Sequence, residues 1–146
     1  MTQTMKVLRV AALLMSTCCA VGPVAAQEHT EIEIPVHKQS GINYVTGGVT
    51  EEERHAMGKI ANRYPMQLVF SEHGARDVKG VQIAVKDLRG STLIEAVSDG
   101  PYFFFNPPSG RWTMEARLEG ETITRTVDLV GRRYIYLEFK FGEPAQ

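Results

Sequence analysis

The sequence predicts an all-β fold: a seven-stranded antiparallel sandwich preceded by one N-terminal α-helix. Three observations carry that expectation. From Met66 onward, apolar residues recur at every second position, the period of a half-buried strand. Gly, Pro, Asn and Asp clusters interrupt these runs every eight to twelve residues or so, the turn spacing of a sandwich. The one stripe of helical period lies ahead of all the strands, so no crossover helices exist to build a parallel βαβ sheet. A length of 146 residues, 43% hydrophobic and 23% charged, suits one packed domain and not two.

Residues 1–26 read as an export signal. Lys6 and Arg9 precede an apolar stretch, Val10 to Val21, that is short of the roughly 20 residues needed to span a bilayer. Gly22-Pro23 breaks it, and Val24-Ala25-Ala26 supplies the small residues of a cleavage site, so processing is expected after Ala26. The expected location is therefore periplasmic or secreted, with no transmembrane segment after cleavage. Lys6, Arg9, Cys18 and Cys19 leave with the signal. The remaining 120 residues carry 14 basic and 17 acidic side chains, a net charge of −3, and no cysteine. Disulfides, thiolate metal sites and a cysteine nucleophile drop out together. An acidic balance also argues against nucleic acid as a partner.

Residues 27–48 read as an extended arm. Ile32, Ile34 and Val36 alternate with Glu31, Glu33 and Pro35, but Pro35 cannot donate to a ladder and favours an edge or a linker. The helix is expected over 49–65. Thr50-Glu51-Glu52-Glu53 forms a capping box, in which the Thr50 hydroxyl accepts from the Glu53 amide and the Glu53 carboxylate returns to the Thr50 amide. Met57, Ile60, Ala61 and Tyr64 make one apolar stripe, and Pro65 ends the helix. The sandwich spans 66–141, with a tail at 142–146. Its expected inward residues include Met66, Leu68 and Phe70; Val81, Ile83 and Val85; Trp112, Met114, Ala116 and Leu118; Ile123, Val127 and Leu129; and Ile135, Leu137, Phe139 and Phe141.

Residues 99–112 read Asp-Gly-Pro-Tyr-Phe-Phe-Phe-Asn-Pro-Pro-Ser-Gly-Arg-Trp. Asp99-Gly100, Tyr102, Phe104, Pro108, Gly110 and Trp112 resemble, in order and spacing, the motif of the carboxypeptidase regulatory-like domains. Pro107 stands where that family has leucine, and Ser109 where its second proline falls. The resemblance covers about residues 66–141 and implies a prealbumin-like (transthyretin-like), broadly Ig-like sandwich, as in a small exported bacterial member of the family. Its residues are structural, so it implies no peptidase chemistry, and fold alone assigns no activity.

The family phase places Tyr102 and Phe104 in the core and sends Phe103 and Phe105 to the other face of the sheet. There they would be covered by the helix or the arm, or would form a partner or self-association site. A second candidate surface is the basic-aromatic run Arg132, Arg133, Tyr134 and Tyr136, suited to an acidic glycan or lipid head group.

No pattern for catalysis or metal binding emerges. His29, His37, His55 and His73 are scattered, and Met57 belongs to the core stripe while His55, two positions away, does not. The Tyr-Arg-Gly-Ser run and early-strand histidines of transthyretin-like hydrolases do not occur. Nor does the two-Tyr, two-His iron set of ring-cleaving dioxygenases, or the paired tryptophans of starch-binding sandwiches. Ser71 and His73 are neighbours in a turn, without triad context. The expectation is a non-catalytic extracytoplasmic module for protein or glycan interaction in the cell envelope, without a cofactor. The competing expectation is a periplasmic copper or zinc carrier, or an enzyme whose site the sequence does not reveal.

Overall fold

A computed structural model describes Gly22 and residues 31–75 and 78–143. Except for Gly22, the expected export signal lies outside the described residues, as do His29 and 144–146 of the tail.

The sandwich is built from two sheets. The first contains β1 (His37–Gln39), β2 (Ile42–Gly47), β6 (Tyr102–Phe105), β3 (Met66–Glu72) and β9 (Ile135–Phe141), in that spatial order. The second contains β5 (Thr92–Val97), β4 (Gln82–Lys86), β7 (Arg111–Leu118) and β8 (Glu121–Asp128). All seven strands expected over 66–141 are present. The arm supplies two more: β1 and β2 form a hairpin, and β2 pairs antiparallel with β6 along Tyr44–Gly47. Residues 37–47 are therefore part of the first sheet and not a free arm. Among the described residues ahead of β1, 31–36 have no ladder pairing.

One pair departs from the all-antiparallel expectation. β3 and β9 run parallel, with Met66 opposite Ile135 and Glu72 opposite Phe141. The reason is the parity of sheet crossings. β8 ends at the edge where β3 begins, so a chain that crosses there to the first sheet must run alongside β3. Turn spacing reports only on sequence neighbours and carries no such information.

The inter-sheet core contains the inward residues that alternation predicts. Met66, Leu68, Phe70, Val81, Ile83, Val85, Met114, Phe139 and Phe141 are buried. Trp112 is buried too, and its indole N–H donates to the Pro108 carbonyl at 2.9 Å.

A second, smaller core lies on the opposite face of the first sheet. The helix α1 (Glu51–Ile60) continues as a 3-10 turn over Ala61–Arg63. Thr50 caps it, its hydroxyl accepting from the Glu53 amide at 3.2 Å. The Glu53 carboxylate does not close the expected box. It reaches further back and accepts from the amides of Gly48 (3.1 Å) and Val49 (2.8 Å), tying the helix to the end of β2. The Met57–Tyr64 stripe packs on Val45, Tyr102 and Phe104, with Ile34 of the 31–36 segment alongside. Burial pushes the Tyr64 hydroxyl pKa up, against a smaller lowering by Arg63.

Close backbone approach lets this helix layer sit down. A Cβ on Gly100 would strike the Gly47 carbonyl, and one on Gly48, held at φ +98°, would enter the Tyr102 ring.

Side chains lace the open sides of the sandwich. On one side the Gln39 carboxamide donates to the Glu95 carbonyl (2.9 Å) and accepts from the Glu95 amide (2.9 Å), so it occupies the free edge of β5 as a peptide group would. On the other side the Arg125 guanidinium lies 5.9 Å from the Phe139 ring centre, and the Glu121 carboxylate accepts from the Gly142 amide at 2.9 Å.

Candidate functional site

The two sequence-derived candidates part company in the structure. Phe103 and Phe105 are fully buried, in the inter-sheet core. They pair with Thr46 and Tyr44 across β2 and with Leu68 and Met66 across β3. Phe103 stacks on Tyr44 with ring centres 5.2 Å apart. They form no partner-binding patch; the second sheet and Tyr44 of the former arm pack on them, and the helix does not. Tyr102 and Phe104 instead take the helix-covered face. The phase is the reverse of the expected one because β6 is the middle strand of the first sheet and is buried on both sides. Four consecutive aromatics then carry no alternation from which to choose a face.

Arg132, Arg133, Tyr134 and Tyr136 are exposed, Tyr134 to 67% and Tyr136 to 50%. Most of this run sits in the β8–β9 connection, which joins other loops at one end of the sandwich. The strand registers define that end. Phe105 lies opposite Met66, Met66 opposite Ile135, Arg111 opposite Asp128, and Lys86 opposite Thr113. The β4–β5, β6–β7 and β8–β9 connections therefore emerge together.

Leu88, at the tip of the β4–β5 turn, is 74% exposed, and Val130, at the start of the β8–β9 connection, is 65% exposed. Arg89 stands beside Leu88 and is exposed too. Neighbouring strands lie about 4.8 Å apart and packed sheets about 10 Å, so these tips fall within a surface roughly 10–20 Å across.

The loops are held in place. The Asp87 carboxylate accepts from the amides of Arg89 and Ser91, both at 2.9 Å, and Gly90 N–H donates to the Asp87 carbonyl. The Leu129 amide donates to the Gly110 carbonyl at 2.8 Å and the Ile135 amide to the Pro65 carbonyl at 2.6 Å, pinning the β8–β9 connection at both ends. Basic charge is in excess at this end. Asp87 is committed to its turn, Asp128 faces Arg111 at 3.9 Å, and segments 106–110 and 129–134 contain no acid. Among the described residues, Arg89, Arg132 and Arg133 form no ion pair. Sequence reading missed Leu88, Arg89 and Val130. A leucine at the tip of a turn, with no strand phase to bury it, was the available signal.

Surface grooves also lie elsewhere. One of about 410 Å³ crosses the outer face of the second sheet beside Gln82, Glu95, Glu115 and Arg117. Another of about 490 Å³ separates segment 31–36 from α1, beside Glu31, Glu52, His55 and Lys59. Glu52, exposed at the helix start, has its pKa lowered by a backbone hydrogen bond first and by Thr50 second. Among the described residues no three His, Cys, Asp or Glu side chains gather as metal ligands. His37 stacks on Tyr44, His55 projects from α1, and His73 occupies the turn after β3. No helix among the described residues is long and apolar enough to cross a membrane.

No family model and no curated protein sequence matches this chain. A solved structure of the Bacillus anthracis TIE protein is similar over 53% of this chain and 15% of that one, with 7% identity and a TM-score of 0.41. The chain thus spans a small part of that protein's length.

Proposed function

We propose that this protein is a non-catalytic interaction module of the cell envelope, working outside the cytoplasm, and that it binds through the loop-bearing end of its sandwich. One observation carries the reading. Among the described residues, three arginines without ion-pair partners and three exposed apolar or aromatic side chains, Leu88, Val130 and Tyr134, stand on anchored loops at one end, with Tyr136 beside them near the start of β9. Anchored loops bind at low ordering cost, because the conformation is set before the partner arrives. Strand edges are poorer candidates for β-augmentation, since Gln39 already occupies the edge of β5 and Arg125 donates to the Thr124 carbonyl on β8. The Asp99–Trp112 motif supports a prealbumin-like sandwich as the finer fold class, with the β1–β2 hairpin and α1 as additions to it. The Val10–Ala26 segment supports export.

The test is retention on immobilised envelope extract containing both lipid and lipid-free components. The chain should be retained, and the triple variant Arg89→Ser/Arg132→Ser/Arg133→Ser should wash through with an unchanged melting temperature. Equal retention of the two would show that the loop end is not the binding surface.

A further inference from the structure

We infer that the occupant of this end is an anionic phospholipid bilayer, met by the loop tips. This rests on the interaction-module reading and adds the partner. Two features select a bilayer over a folded partner. The apolar side chains are not spread over a flat or concave face. They stand singly at separate tips: Leu88 on the β4–β5 turn, and Val130 and Tyr134 on the β8–β9 connection. Isolated apolar tips can enter the soft boundary between head groups and acyl chains without a complementary surface opposite them, and tyrosine suits that boundary.

Each tip also has a cation beside it: Arg89 next to Leu88, and Arg132 and Arg133 between Val130 and Tyr134. A tip that enters the boundary would bring its guanidinium to phosphate depth, where it donates to phosphate oxygens in a planar fork. The whole chain carries a net charge of −1, so attraction to a negative surface rests on local clusters, and the arginines of this end favour one docking orientation. The two chemistries reinforce each other in the manner of peripheral anchors, which need both apolar insertion and basic charge for stable attachment.

Site-specific fluorescence tests this in the full chain. Trp112, the sole tryptophan, is buried and gives a constant background. Tyr134→Trp places a reporter at the tip, and Lys79→Trp places a control near the opposite end of the sandwich. With vesicles of phosphatidylglycerol and phosphatidylcholine, the Tyr134→Trp emission should shift to the blue and resist acrylamide. Pure phosphatidylcholine should produce neither change, and Lys79→Trp should be silent with both. This site-specific readout is independent of any membrane affinity of residues 1–26.

Each arginine replaced by serine in the reporter chain should weaken partition about fivefold, and high salt should abolish it. Leu88→Ser/Val130→Ser should also weaken it, at unchanged melting temperature. An unshifted Tyr134→Trp spectrum with phosphatidylglycerol vesicles overturns the lipid proposal. If the same reporter then responds to lipid-free envelope protein or glycan, the interaction-module reading survives with a different partner. If it responds to neither, both fall.

Discussion

The two sheets solve opposite problems. The first is covered on both faces, by the second sheet on one side and by α1 on the other. Its central strand β6 buries Phe103, Phe104 and Phe105 in succession, with only Tyr102 partly exposed. The second is covered on one face only. Its β7 strand alternates faithfully, Trp112, Met114 and Ala116 inward against Thr113, Glu115 and Arg117 outward. Its outer face is finished with Lys86–Glu115 at 2.9 Å and a Thr113–Thr126 hydroxyl contact at 3.0 Å. A sheet buried twice gives up legible alternation but gains a second core. A sheet buried once keeps its pattern and offers water a polar face. Loops at one end carry Leu88, Val130 and Tyr134, exposed side chains that neither core absorbs.

The sharpest way to break this comparison is to truncate the doubly buried strand. Phe103→Ala should cost about 3–5 kcal/mol by emptying the inter-sheet core. Thr124→Val, on the outer face of β8, should stay within about 0.5 kcal/mol. Urea unfolding of the two variants checks the contrast, and a mild Phe103→Ala would mean that the aromatic faces outward after all.

Next in size is the seat of the helix layer. Gly100→Ala drives a methyl into the Gly47 carbonyl and should cost about 1–3 kcal/mol, by the same measurement. A neutral result would show that the layer floats on the first sheet and is not locked to it.

Gln39→Ala removes both hydrogen bonds to Glu95, a loss of about 1 kcal/mol, and uncovers the β5 edge. Size-exclusion chromatography at two concentrations should then show association that the parent chain lacks.

The smallest effect is a pH dependence confined to the helix-covered face. Tyr64 has a raised pKa, so its neutral form is favoured by folding. Its contribution is full below the ordinary tyrosine range and is lost as pH rises through the raised value. Tyr64→Phe should flatten the alkaline limb of a melting-temperature profile.

The amino-acid sequence by itself determined the all-β class, the seven strands over 66–141, the helix with its Thr50 cap, and which residues face inward wherever a strand is covered on one side. Periodicity encodes these because each is a local contrast between water and core. It also marked Arg132, Arg133, Tyr134 and Tyr136 as surface, since arginines beside a glycine have no core to join. Only the tertiary structure decided three other matters. It set the faces of Phe103 and Phe105, where burial on both sides erases the contrast. It drew residues 37–47 into the first sheet and set β9 parallel to β3, pairings that depend on where distant segments cross. And it brought Leu88 and Val130, 42 positions apart, to the same end as those arginines. A loop residue's neighbours in space are fixed by the strands that carry it and not by its neighbours in the chain.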